Sequence, residues 1–208
     1  MLDYGIFYEF IPMEEFGSSN PKVLSLENVE IGKNYALLIT SNGGLWRYLI
    51  GDTVQFTSLD PFRIKITGRT KHYINAFGEE LMIDNVETAL SKACTATGAS
   101  VTDYTGAPIY MSEGTSGAHE WIFEFSKSPE CLDRFTQVFD DTLKEINSDY
   151  EAKRYNNMTL NKPVIHIAKP QLFYQWMSGR GKLGGQNKVP RLSNDREYID
   201  PLLQLNSN

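Results

Sequence analysis

The sequence has little that would tie it to a membrane, a nucleic acid or a metal. No apolar run in its 208 residues approaches the roughly 20 needed to span a bilayer. Met1-Leu2-Asp3-Tyr4-Gly5 has neither the basic nor the apolar stretch of a signal peptide, so the expected location is the cytoplasm. Positive charge is in the minority. The net charge of −6 argues against nucleic acid or an anionic membrane as the main partner. Cysteine is scarce: Cys94 and Cys131 stand far apart without metal-ligand spacing and are expected to be reduced and structural. His72, His119 and His166 are equally scattered, so no metal site and no nucleophile-base-acid arrangement is expected. A P-loop is also missing. Gly114-Thr115-Ser116-Gly117 lies between two expected strands with no Lys after it, and reads as a hairpin loop.

What is present suits a folded domain or a domain and a half, with eleven Phe, eleven Tyr and three Trp to fill a core. Ile6 to Pro12 reads as a strand with apolar residues on both faces, hence buried on both sides. Its early position places a pairing strand upstream, in a longer parent. Tyr35 to Thr40, Trp46 to Tyr48, Thr53 to Thr57 and Phe62 to Thr67 are further strands, with Asn42-Gly43 as a turn. After Gly68 the pattern changes. Tyr73 to Asn75 is a short strand. Asp84 to Thr97 reads as a helix capped by Asp84 with Glu87 three residues on. Ser100 to Met111 and Glu120 to Ser126 are strands. A second helix opens at Ser128-Pro129, with Leu132, Phe135, Phe139, Leu143 and Ile146 inward. Val164 to Ala168 is a strand with His166 outward, and helices near Gln171 to Ser178 and Arg196 to Leu203 close the chain. The expected class is α+β: a β-meander or partial barrel, then a split β-α-β, ferredoxin-like small domain with a helical tail.

Three segments carry candidate chemistry. Gly51-Asp52, between two expected strands, could offer a carboxylate to a ribose diol where glycine lets the backbone approach; a hairpin Gly-Asp turn is the alternative. Arg69, returning on the next hairpin, offers a planar fork of donors to hydroxyl or phosphate oxygens; a solvated Arg-Thr-Lys-His run is the alternative. The glycine-rich basic stretch from Gly179 to Arg191 suits a phosphate contact, or else a connector before the last helix.

In combination these segments resemble adenylate-forming enzymes, and specifically the Gretchen-Hagen auxin-responsive family of acyl-acid amido synthetases. Tyr48-Leu49-Ile50-Gly51-Asp52-Thr53-Val54 resembles that family's Tyr-Arg-Val-Gly-Asp strand, and Gly68-Arg69-Thr70-Lys71 the start of the superfamily's hinge, ahead of Phe77-Gly78-Glu79-Glu80-Leu81. Val101 to Tyr104 with His119 to Glu124 resembles its paired strands. Asn147-Ser148-Asp149-Tyr150 and Gln186-Asn187-Lys188-Val189-Pro190-Arg191 resemble its Asn-Ser-x-Tyr and Gln-Tyr-Lys-x-Pro-Arg segments. Leu49 stands where the family often has Arg, and Asn187 where it has Tyr. The family's phosphate-gripping loop has no counterpart here.

The resemblance implies the carboxyl-terminal part of an ATP-using ligase that joins a carboxylic acid to an amino acid amine through an acyl-adenylate. It implies residues 1–68 as a remnant of the large adenylating domain, 69–71 as hinge and 72–208 as the carboxyl-terminal domain. Asp52 and Arg69 would bind the nucleotide, Lys71 would be the pivot and Lys188 the catalytic cation, with Mg²⁺ accompanying ATP. The implied partners are the two small-molecule substrates and the amino-terminal part of the same parent. An acyl-thioester ligase, or a self-sufficient α+β module that binds a small molecule or protein, are the competing readings.

Overall fold

The computed structural model describes residues 5–70, 73–112, 115–181 and 188–207. Residues 1–71 and 72–208 form two compact units. Among the described residues no helix is long and apolar enough to cross a membrane.

The first unit is an antiparallel meander of β1 (Ile6–Pro12), β2 (Asn34–Ser41), β3 (Tyr48–Leu59) and β4 (Phe62–Arg69), paired in that order. Its core rests on Phe10, Tyr35 and Phe56, whose rings meet edge to face at 5.1–6.1 Å. Strand β1 pairs with β2, from Ile6↔Ser41 to Pro12↔Tyr35. Two expectations change here. The strand is not buried on both faces, since Phe7 is 60% exposed. Residues expected as two strands, Trp46 to Tyr48 and Thr53 to Thr57, belong largely to one, β3. The register explains this. Ala36 pairs with Thr53 and Leu38 with Leu49, so Ile50, Gly51 and Asp52 all lie opposite Leu37. The excess is absorbed as a bulge at Gly51, whose φ of +90° suits glycine.

The second unit begins with a two-stranded ribbon, β5 (Tyr73–Ile74) and β6 (Leu81–Met82). Helix α1 (Ile83–Thr97), strands β7 (Ser100–Ile109) and β8 (Ala118–Lys127), helices α2 (Leu132–Ile146) and α3 (Ser148–Arg154), β9 (Val164–Ile167), α4 (Leu172–Gly179) and α5 (Ile199–Ser207) follow. The sheet order is β7-β8-β9, with β8 and β9 parallel across the α2–α3 crossover. Both sheet faces are covered. On one, Trp121 and Phe123 pack with Val86 and Ala89 of α1 and Phe135 and Phe139 of α2. On the other, Ile122 and Ala107 meet Leu172 and Phe173 of α4 and Ile199 and Leu202 of α5.

The α+β class, with a meander, two helices on a sheet and a helical tail, is what the sequence leads one to expect. Details differ. The Tyr73 strand pairs with Leu81–Met82 instead of entering the sheet. The N-cap position of α1 is Met82, not Asp84, and Asn85 at the third helical position reaches back so that its Oδ1 accepts the Met82 N–H at 3.0 Å. Helix α2 begins at Leu132, beyond Ser128-Pro129, and Ile146 at its end is exposed. Helix α3 has no counterpart in the sequence reading. Its cap is Asn147, whose side chain accepts the Tyr150 N–H at 2.8 Å.

Candidate functional site

The bulge at Gly51 sets the direction of the next side chain. Asp52 pairs in register with Arg69, the last residue of β4. Cross-strand neighbours point to the same face, and the Arg69 Nε lies 3.3 Å from the Asp52 Oδ1. The Thr70 N–H donates to the Gly51 carbonyl at 2.9 Å and holds the end of β4 against the bulge. Beneath, the buried Thr67 and Thr53 hydroxyls meet at 3.1 Å. The Asp52 side chain is 33% exposed and that of Arg69 59%. An ion pair this wet contributes at most about 1 kcal/mol to stability. The two groups are reachable, oppositely charged and side by side on a stiff ladder. The hairpin-turn alternative for Gly51-Asp52 is excluded, because both residues lie inside β3.

In the second unit Lys188 is exposed. Val189 and Leu192 beside it are buried. The segment lies along the free edge of β7. The Thr105 hydroxyl donates to the Pro190 carbonyl at 2.6 Å, Gly106 N–H to the Arg191 carbonyl at 2.9 Å, and Ser193 N–H to the Gly106 carbonyl at 3.1 Å. Gly106 is required on the inner side, where a Cβ would come within 2.4 Å of the Trp121 ring. The Arg191 guanidinium stacks over the Tyr104 ring, 4.7 Å from its centroid, and pairs with Glu87. Burial raises the Asp103 carboxyl above its ordinary range against the opposing pull of the Tyr104 N–H, Arg191 and Lys188. Lys71, and residues 182–187 of the glycine-rich stretch, lie outside the described residues. Among the described residues no three His, Cys, Asp or Glu side chains converge as they would to hold a metal ion.

The sequence profile of the GH3 family C-terminal domain matches residues 84–197, and that of the GH3 family central domain matches residues 1–69. The chain belongs to the GH3 family. It is 24% identical over 195 residues to the indole-3-acetic acid-amido synthetase GH3.3 of Arabidopsis thaliana, covering 89% of this chain and 33% of that protein. It is 23% identical over 204 residues to the 4-substituted benzoates-glutamate ligase GH3.12 of the same plant, covering 89% and 35%. The solved GH3.15 acyl acid amido synthetase shares the fold, with a TM-score of 0.65 at 21% identity over 97% of this chain and 36% of that one. The GH3 chain thus spans about a third of the length of the curated relatives it matches.

The sequence reading missed one buried constellation in this GH3 chain. Glu79 is fully buried, and its carboxylate accepts the Ala76 N–H at 3.2 Å and the Phe77 N–H at 2.7 Å. Its Oε1 also lies 2.8 Å from the Nε2 of His119, itself fully buried. Burial pushes the Glu79 carboxyl up, but the His119 and backbone hydrogen bonds prevail and hold it below its ordinary value. The Asn147 amide donates to the Glu79 and Glu80 carbonyls. Phe77-Gly78-Glu79-Glu80-Leu81 is therefore a turn tied to the sheet. No local pattern could reveal this, because His119 is 40 residues from Glu79. His166 does lie half-exposed on β9, with its Nε2 2.7 Å from Glu120. Both cysteines are free; Cys131 is exposed, so only Cys94 has the partly buried setting expected of a structural thiol.

Proposed function

We propose that this GH3 chain is the carboxyl-terminal portion of a cytoplasmic ATP-dependent acyl-acid amido synthetase. The parent enzyme converts a carboxylic acid and ATP to an acyl-adenylate and pyrophosphate. An amino acid amine then attacks the acyl carbon and displaces AMP. The observation that carries this reading is the Asp52–Arg69 pair, two accessible groups of opposite charge facing one side of a stiff ladder. Asp52 accepts the ribose hydroxyls, and Arg69 donates to ribose or α-phosphate oxygens. Residues 69–71, where the two compact units join, form the hinge, with Lys71 as its pivot between the two half-reactions. Residues 1–68 belong with the adenylating part and 72–208 form the moving domain. Lys188 stabilises charge developing at the α-phosphate. Mg²⁺ would accompany ATP and supply charge neutralisation at the phosphates.

Magnitudes separate the portion from the whole. Hydrogen bonds to charged groups contribute about 1.5–3 kcal/mol each. Two or three of them total about 3–9 kcal/mol, and immobilising the ligand costs about 4–15 kcal/mol, so little is left beyond the roughly 4 kcal/mol of millimolar affinity. The 208-residue chain alone is expected to bind ATP no more tightly than about millimolar and to form no adenylate. The enzyme containing it is expected to release AMP and form an amide from an amine acceptor. Calorimetry on the chain and product analysis with amine and thiol acceptors on the enzyme check both statements. Micromolar ATP binding by the chain alone, or a thioester in place of the amide, contradicts the reading.

A further inference from the structure

A lysine side chain has four rotatable bonds, so its ammonium is placed only as well as its backbone is held. The Lys188 segment is mounted on two separate elements, β7 and α1. The edge of β7 supplies the bridge of Gly106 to Arg191 and Ser193, and the Thr105 hydroxyl takes the Pro190 carbonyl. The ring of Tyr104, buried in the sheet, supports the Arg191 guanidinium. Glu87, from the first turns of α1, receives the Tyr104 hydroxyl at 2.9 Å and pairs with Arg191 through the same Oε1. Glu87 and Arg191 are both partly exposed, so their pairing adds little to the stability of the fold. Its main consequence is geometric: it fixes the Arg191 side chain, three residues from Lys188, to a helix and a strand at once.

We propose that Glu87, Tyr104 and Arg191 are positioning residues that clamp the Lys188 segment in register on β7, so that the ammonium approaches the α-phosphate from a fixed base. The proposal rests on the adenylating reading of Lys188. None of the three need touch the nucleotide. Displacing a reacting group by an ångström costs on the order of a hundredfold in rate, and loosening its mount costs less.

The test uses Glu87→Ala and Glu87→Gln, in the chain and in the enzyme that contains it. Glutamine keeps an acceptor for Tyr104 and Arg191. In the chain, Glu87→Ala is expected to speed hydrogen exchange at the Gly106 and Ser193 amides about tenfold relative to the amides of β8, and Glu87→Gln to restore most of the protection. In the enzyme, Glu87→Ala is expected to lower kcat for carboxylate-dependent adenylation about tenfold with the KM for ATP within about twofold, and Glu87→Gln to recover most of it. Unchanged exchange at Gly106 and Ser193 overturns the clamp. So does an unchanged kcat in Glu87→Ala while Lys188→Ala is inactive, and in that case the reading of Lys188 survives. Full activity in Lys188→Ala removes that reading and the clamp together.

Discussion

Replacing Lys188 with alanine in the parent enzyme proposed above is expected to slow carboxylate-dependent adenylation by about 10²–10³-fold, the usual loss when one preorganised electrostatic contact to a developing charge is removed. The expectation follows from where the residue sits. Its side chain is exposed, so alanine leaves no cavity and strands no buried charge. Its neighbours Val189 and Leu192 are buried and its segment is hydrogen-bonded to β7, so the backbone stays in place. The loss should appear in kcat and in kcat/KM alike, because the proposed contact is with the transition-state charge and not with bound ATP in its ground state. Pre-steady-state measurement of pyrophosphate release checks this. A change confined to the KM for ATP would make Lys188 a binding residue only.

Asp140→Ala is expected to cost about 3–5 kcal/mol of stability, the range for breaking one partner of a buried ion pair. Asp140 is fully buried on α2. Its Oδ1 accepts the Arg154 Nε–H at 2.8 Å and its Oδ2 the Arg154 Nη2–H at 2.8 Å, a two-pronged contact that also takes the Tyr150 hydroxyl at 2.8 Å. Alanine leaves the buried Arg154 cation with carbonyl and amide partners but no counter-charge. Urea unfolding of the chain measures the loss. Adding Arg154→Met should recover part of it, since an apolar pair avoids the desolvation problem. The same pair sets an acid limit. Burial raises the Asp140 carboxyl, but Arg154, Tyr150 and Lys144 outweigh it, so the folded value lies below the ordinary 3.8. A depressed carboxylate contributes stability that is present above the unfolded value and lost as pH falls through the folded one. Asp140→Ala should therefore flatten the dependence of stability on pH below about 3.8.

Much of the fold could be read from periodicity. The nearly continuous apolar run from Ile6 to Pro12 matches the observed length of β1, and Val86, Ala89, Leu90 and Ala93 are all buried on α1, as their spacing requires. What could not be read depends on partners distant in sequence. Of the two ribbon strands, β5 is expected at Tyr73 to Asn75, but β6, two residues long, is too short to show alternation, and its pairing with β5 is not visible in the sequence. The Gly51 bulge differs from a turn only in what lies across from it, namely Leu37. Helix α3 has one buried aromatic, Tyr150, and its stability comes from the Asn147 cap and the Arg154–Asp140 pair. Of the candidate site, the juxtaposition of Asp52 and Arg69 was legible because a hairpin returns the chain beside itself. The dependence of Lys188 on Glu87, 101 positions earlier by number, was not.

The most direct test of the account is whether the sugar is read through Asp52. The measurement is kcat/KM for ATP against 2′,3′-dideoxy-ATP, in the proposed parent enzyme and in its Asp52→Ala variant. With hydrogen bonds to a carboxylate at about 1.5–3 kcal/mol, the wild type is expected to prefer ATP by at least about tenfold, and the variant to show almost no preference. A variant that retains the full wild-type preference would contradict the assignment of Asp52 and Arg69 to the nucleotide.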